Sequence, residues 1–457
     1  MNASGISLRN GAPWVFGFIN AIFGIVLFYD TSYFAHFKTF LLIFSFVTLL
    51  IFVNYFSYSF IFQLRLIFLS TIGYYAGIVK FIDPNLVFAS FGISIQTFDI
   101  GVKMYGMTSI SLMGSAIGFN MIRIRSKSRK FIANSVKIQW PIIFYLSGIF
   151  VAIVSYLSAK SYGNTIWEAA YASGSGEGQL LGNLQSLGAI LLGINVLAAI
   201  KLNLSRYLLL SFIISIYFLF FGIFLRGGRL EFLSGLLVLY IGVPAAFGNI
   251  RAVKYYSYLV LIILAIFMEF WGHLRAVWSS AETETMLEGY LRMFDTGVFF
   301  AGTISGISSA FANVVDMIEK NVISYRFGVP YLEYFLRTPP EFLYPDRPKD
   351  LSSIFEDYGY ISIGGFFEIA EAYLSFGLLG VFMIPLLISY LLAKIYSKAI
   401  TGSLFFYIQL LAFLSVFMRG AWYQTFAYYK AFITGLIIYM AIVILIKLLN
   451  NLKPSLK

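Results

Sequence analysis

The 457-residue chain contains no cysteine, and histidine occurs only as His36 and His273. Disulfides and cysteine-ligated zinc or iron–sulfur centres are excluded, and so is a histidine-rich metal centre. Charge is scarce as well: charged residues make up 12% of the chain and hydrophobic ones 60%. A soluble protein needs a charged shell and cannot hide that much apolar surface, so the composition reads as an all-α, polytopic integral membrane protein. No internal repeat and no low-complexity tail is present. The net charge of +11 would suit nucleic acid, but its distribution fits membrane orientation instead, and nucleic acid is not expected as a partner.

A membrane span needs about 20 apolar residues. That rule predicts twelve spans, at about 13–29, 39–58, 64–82, 104–122, 139–159, 181–200, 207–225, 230–249, 255–272, 369–393, 402–418 and 429–447. The interrupted apolar stretch 84–103 is expected to be re-entrant or to lie on the surface. The first run lacks a basic cluster before it and a small-residue cleavage site after it, so it is expected to remain as an anchor. The loop from Arg123 to Lys137, with Arg125, Lys127, Arg129 and Lys130 between, marks the cytoplasmic side. Alternation from it puts both termini in the cytoplasm, with Arg65 among the inner basic residues. It puts the acidic residues on or near the outer side. An error of one span would break that segregation.

Residues 1–457 thus form a single polytopic domain, interrupted by one long polar stretch at about 273–368 on the outer side. Such an insertion is where chemistry can proceed in water beside a bilayer. Within it, Val314-Val315-Asp316-Met317-Ile318 has an apolar stripe at helical spacing, which fits either an interfacial helix or one packed on protein. The glycine-rich run Ser173–Gly178 lacks the Gly-Lys-Ser/Thr ending of a phosphate loop and reads as a surface loop.

Arginines at the outer ends of spans are the first candidates for function. Arg226 and Arg229 flank a Gly-Gly turn, Arg419 precedes Gly420 in another turn, and Arg275 follows the span ending near Trp271. Guanidinium forks match phosphate oxygens and stay charged at any working pH. Snorkelling to lipid headgroups is the competing account. Arg337 and Arg347 of the long segment join this anion-binding set.

Carboxylates are the second. Glu368 and Glu371 stand at i and i+3 at a predicted helix start, on one face. There they either favour the helix dipole or act as a general base that takes the proton from an attacking sugar hydroxyl. Glu231 and His273 are further base candidates, though Glu231 also suits orienting Arg229 or Arg226, and His273 suits an interfacial position. Together with Glu356-Asp357, the Glu368/Glu371 pair could bind Mg²⁺ or Mn²⁺. No Asp-x-Asp pair is present, however, and arginines can neutralise a pyrophosphate without metal. Neither metal nor cofactor is expected. Tyr344, Tyr360 and Tyr423 are aromatic candidates for stacking on sugar rings, although a membrane-interface belt enriches the same residues.

Three features occur in order: the arginine–glycine turn in mid-chain, the proline-rich run Pro339-Pro-Glu-Phe-Leu-Tyr-Pro-Asp-Arg-Pro348, and Gly364-Gly365-Phe-Phe-Glu368-Ile-Ala-Glu371 leading into a helix with Gly377 and Gly380. This arrangement resembles the O-antigen and oligosaccharide repeat-unit polymerases of the Wzy family, most clearly over about 220–385. An arginine–ten residues–glycine pattern of some members is not found in either outer loop. The resemblance implies a GT-C-type membrane glycosyltransferase at the outer face of the bacterial inner membrane. Its donor would be a glycan on undecaprenyl pyrophosphate and its acceptor a repeat unit on the same lipid. A polysaccharide co-polymerase that regulates chain length is a further partner to consider. By similarity, Arg226, Arg229, Arg419 and the long-segment arginines would hold pyrophosphate, and Glu371 matches the acidic helix start. The alternatives are an O-antigen ligase acting on lipid A–core and, from another class, a repeat-unit flippase or transporter.

Overall fold

The computed structural model describes residues 8–55, 60–82, 98–122, 139–160, 177–223, 229–247, 303–339, 344–360 and 365–451. Their regular structure is helical, with no strand among the described residues. In order, α1 is Leu8–Tyr29, α2 Ser32–Tyr55, α3 Phe60–Ile82, α4 Phe98–Asn120, α5 Trp140–Lys160 and α6 Glu177–Leu202. Helix α7, Ser205–Ile216, continues as a π-helical stretch, Tyr217–Ile223; α8, Arg229–Leu237, does the same over Val238–Gly242. Then follow α9 Thr303–Glu319, α10 Val329–Arg337, α11 Ser353–Asp357, α12 Glu368–Ile400, α13 Leu404–Ser415, α14 Phe417–Trp422 and α15 Phe426–Asn451.

Five helices among the described residues are long and apolar enough to cross a membrane: Ser32–Tyr55, Trp140–Leu157, Leu184–Leu202, Glu368–Ile400 and Phe426–Leu448. Shorter apolar helices include Pro13–Tyr29, Phe60–Tyr75, Ser205–Phe220, Leu230–Ala245 and Leu404–Ser415. The chain is therefore an all-α membrane protein. All but one of the apolar stretches expected to span fall on helices; the exception, 255–272, lies outside the described residues. One detail differs from expectation, and one choice between two readings is decided. Residues 98–103 belong to α4 rather than to a surface segment, with Ile100 and Val102 buried. The stripe at Val314–Ile318 packs on protein: α9 lies against α3 and α4, and Ser308 Oγ donates to Ile72 O at 3.3 Å.

The chain divides into two compact units. The first comprises Met1–Arg123, Phe300–Ala393 and Gly420–Phe426; the second comprises Ile124–Phe299, Lys394–Arg419 and Ala427–Lys457. In the first unit, α1 and α4 cross so closely that a Cβ on Gly24 would stand 2.4 Å from Gly106 O. Backbones approach like this only where small residues meet, which is a common way for helices to associate in lipid. Beside that crossing runs a buried polar chain. Tyr105 donates to Ser45 Oγ, Ser45 Oγ to Asn20 Oδ1 at 2.7 Å, and Asn20 Nδ2 to Tyr74 OH at 3.3 Å. In the second unit, α5 and α6 form the main pair, joined by Asn195 Nδ2 donating to Phe144 O at 2.8 Å. Asn195 Oδ1 in turn accepts from Ser211 Oγ of α7 at 2.8 Å.

Helix α12 is two limbs rather than one rod. Phe376 leaves helical geometry (φ −141°, ψ 18°), and Gly377 has φ 61°, ψ −148°, a conformation open essentially to glycine alone. Arg65 shows how far the chain turns. Its guanidinium donates both to Glu368 (2.5 and 3.1 Å) and to Ser389 Oγ (2.8 Å). A straight helix would hold residues 368 and 389 roughly 31 Å apart. The limb Glu368–Ser375 therefore folds back along the limb that follows Gly377. A Cβ on Gly380 would meet Ala372 O at 2.1 Å, as expected where two limbs lie in contact.

Candidate active site

The short limb of α12 places two carboxylates inside the first unit. Neither Glu368 nor Glu371 exposes any surface. Glu368 is neutralised by the two-pronged contact with Arg65, both side chains being fully enclosed. A charge with no partner would be very costly there; a bidentate pair with a further hydroxyl acceptor is tolerable. The sequence reading put Arg65 at the inner edge of a span. It lies instead within α3, beside the middle of the long limb of α12.

Glu371 joins three separate stretches of chain. Tyr334, on α10, donates its hydroxyl to Oε1. Thr425, just before α15, donates its hydroxyl to Oε1 at 2.7 Å and its backbone N–H to Oε2 at 3.0 Å. The Tyr334 ring stacks on Phe426 with centroids 5.0 Å apart. Burial, and then the nearby Glu371 carboxylate, hold the Tyr334 phenol well above its usual pKa, so it stays a donor.

Next to this group stands a second polar cluster. Arg337 Nη2 contacts Asp350 Oδ2 at 2.5 Å, and its guanidinium lies 4.7 Å over the Phe426 ring. Gln424 and Ser352 also donate to Asp350, the Ser352 N–H at 3.0 Å and its hydroxyl at 2.8 Å. Burial raises the Asp350 pKa, but Arg337, Ser352 and Gln424 together outweigh it and hold the carboxyl below its ordinary value. Tyr423 O accepts from Phe366 N–H and ties the 420–426 stretch to the approach to α12.

Helix periodicity explains why these side chains meet. On α10, Pro330, Tyr334 and Arg337 follow one another at i, i+4 and i+7 and are buried. Gly328, at φ 81°, turns the chain into that helix, and Pro330 suits its first turn. On α12, Glu368 and Glu371 share a face as their spacing requires, but that face is turned inward.

Other expected site residues are placed as follows. Glu231 pairs with Arg419 at 3.3 Å, within the second unit. Arg419 is half exposed. Arg229 opens α8, but its side chain, like all of Arg226, His273 and Arg275, lies outside the described residues. Arg337 is paired with Asp350 through Nη2. Arg347 and Tyr344 lie together in a turn, Arg347 N–H donating to Tyr344 O at 3.3 Å, and Tyr344 is exposed. Tyr360 donates to Asp316 at 2.9 Å, so its hydroxyl is already engaged. Tyr423 is half-buried. No cluster of metal-binding side chains occurs among the described residues. In the second unit an apolar cavity of about 540 Å³ runs between α6, α7 and α8, lined by Ala199, Phe212, Leu219, Phe232 and Leu236 among others.

Arg65, Asp350, Gln424 and Thr425 were not singled out for a role at this site by sequence reasoning. For Tyr334 a signal was present in the inward periodicity of α10; for Arg65 there was none, since its partner is 303 positions away. No protein-family model, no curated protein and no solved structure matches the chain.

Proposed function

We propose that this protein is a membrane glycosyltransferase that polymerises lipid-linked oligosaccharide repeat units on the outer face of a bacterial inner membrane. In this reading it spans the bilayer twelve times with both termini inside. The observation that carries it is the binding of one carboxylate, Glu371, by α10 of the long polar stretch and by Thr425, just before α15. The segments that sequence reasoning marked for chemistry supply those donors.

The reaction joins an acceptor sugar hydroxyl to the anomeric carbon of the donor glycan. The bond from that carbon to undecaprenyl pyrophosphate breaks, the pyrophosphate leaves with the electron pair, and the hydroxyl proton passes to a base. The Tyr334 hydroxyl occupies the place on Glu371 that an acceptor hydroxyl would take. Glu371 becomes the base when the acceptor displaces Tyr334. Glu368, neutralised by Arg65, holds the short limb in position. Arg226, Arg229, Arg275, Arg347 and Arg419 are the candidates for the pyrophosphates, whose charge guanidinium forks suit.

A repeat-unit transporter is the second reading, favoured by one observation. A buried ion pair on a broken helix, as Arg65 and Glu368 form here, is a feature of transport pathways. Proteoliposomes loaded with a lipid-linked repeat unit separate the two. Polymerase activity yields a ladder of lengthening glycans. Movement of the repeat unit across the bilayer with no lengthening would replace the polymerase by the transporter.

A further inference from the structure

We propose that α10 and the turn of α12 form one apolar face that docks into the lipid interface of the membrane. The inference stands apart from the reaction assigned above. Opposite its buried face, α10 presents Leu332, Phe335 and Leu336, which are 65%, 61% and 52% exposed; Phe327, just before the helix, is 78% exposed. The three on the helix follow i, i+3, i+4 spacing, so they form a single stripe. Phe327 has φ 42°, which a bulky side chain rarely adopts. The left-handed pair Phe327-Gly328 swings the chain into α10 and leaves the phenyl ring outward.

What covers this stripe follows from its neighbour. Arg326 N–H donates to Leu374 O at 2.9 Å, and the Tyr331 ring lies parallel to Phe376. Helix α10 is thus fastened to the point where α12 turns. Beyond that turn the long limb exposes Leu379, Met383, Leu387 and Leu391, four side chains at successive i+4 positions. On a limb of this length and apolarity such a stripe faces hydrocarbon. The limb, about 35 Å long, is enough to cross the hydrocarbon core, so its turn comes at the core's edge. The stripe on α10 continues the lipid-facing stripe at that level, where an amphipathic helix lies with its apolar side about 5–10 Å into the headgroup boundary. Its polar atoms are suitably placed: Glu333 is held by Arg326 at 2.6 Å.

The absence of cysteine makes the test direct. Single-cysteine variants Leu332→Cys, Phe335→Cys and Lys349→Cys are labelled with bimane in the full-length protein and reconstituted into liposomes. Lys349 serves as the water-facing reference, its side chain being 78% exposed. Gel filtration before reconstitution selects folded protein, and Leu336→Cys replaces either helix variant that fails it. The expected result is severalfold stronger quenching by shallow nitroxide-bearing lipids at Leu332 and Phe335 than at Lys349, with the order reversed for aqueous iodide. Iodide quenching at Leu332 and Phe335 equal to that at Lys349 would put the face in water and overturn the proposal. Protection from both quenchers would mean that protein covers it, and would overturn it equally.

Discussion

Arg65 and Glu368 meet in a two-pronged ion pair with neither side chain exposed, although 303 positions separate them. The pair joins α3 to the short limb of α12, and Ser389 on the same guanidinium joins the long limb. Three helical segments thus share one charge centre. Removing one partner leaves an unpaired buried charge, which typically costs about 3–5 kcal/mol, whereas replacing both by apolar residues of similar volume is often neutral. Arg65→Met and Glu368→Leu should each lower the thermal midpoint or the folded yield sharply, and the double variant should recover most of the loss. Thermal unfolding of the three purified variants followed by gel filtration decides it. A double variant as unstable as the sum of the singles would mean that the two residues are not energetically coupled, and would overturn this account of the pair.

Asp350 makes the long polar stretch sensitive to acid. Its folded-state pKa is lowered by Arg337, Ser352 and Gln424 against the effect of burial. A carboxyl lowered in this way contributes stability that is fully present above its unfolded pKa, about 3.9. That contribution is lost as pH falls through the lower folded value. Limited proteolysis of the stretch around residues 337–352 should therefore accelerate below about pH 4. In Asp350→Asn that acid-dependent step should vanish, with cleavage already faster at neutral pH. Identical pH profiles for both proteins would remove Asp350 from the account.

Orientation can be read with single cysteines. Ser128 lies in the basic loop expected inside; Lys349 is strongly exposed in the stretch expected outside. In intact spheroplasts an impermeant thiol reagent should label Lys349→Cys and spare Ser128→Cys until the membrane is opened. The reverse order, or equal labelling, breaks the twelve-span topology.

Much of the helical layout was legible in the sequence, because a run of about 20 apolar residues has few other uses. The site was legible only in part. Glu368 and Glu371 stood out by spacing, and the segments around Pro339–Pro348 and Arg419 by polarity. Arg65 was misread because hydropathy treats an arginine as the end of a span, and nothing local reveals a neutralising partner on a distant helix. The fold-back at Phe376-Gly377 was hidden for a related reason. Both limbs are apolar and helical, so the run reads as continuous, and one glycine carries the break. The stripe at Val314–Ile318 was legible as a helix, but periodicity cannot say whether lipid or protein lies against it.

Arg229 and Arg419 test the phosphate assignment. Lysine preserves the charge and loses the planar fork. Arg229→Lys and Arg419→Lys should leave membrane levels unchanged and reduce polymer formation about 30- to 1,000-fold, equivalent to about 2–4 kcal/mol of barrier for a lost charge-assisted contact. Glycan ladders from purified, reconstituted protein measure it. Wild-type ladders from both variants would assign these arginines to lipid headgroups or, for Arg419, to its pairing with Glu231.

Glu371 is the decisive residue for mechanism, because its two roles make opposite demands on one substitution. As a tie it accepts from Tyr334 and twice from Thr425. As a base it must accept a proton outright. Glu371→Gln keeps the shape and one acceptor oxygen but cannot take a proton under working conditions. If Glu371 is the base, the variant should bind lipid-linked substrate, remain monodisperse and lose chain extension by about 10²–10⁴. If it is only a tie, the damage should appear in stability first, and Thr425→Ala should reproduce it. Tyr334→Phe separates the roles further. It removes the hydroxyl that occupies the carboxylate and keeps the ring on Phe426, so chain extension should be retained when an acceptor takes that place. Glu368→Gln should act through folding, since it strands Arg65, while Glu231→Gln and His273→Asn should extend chains at near-native rates. A Glu371→Gln protein that makes full-length polymer at the native rate would exclude Glu371 as the base, and loss of extension in Glu231→Gln or His273→Asn alone would transfer the role to that residue.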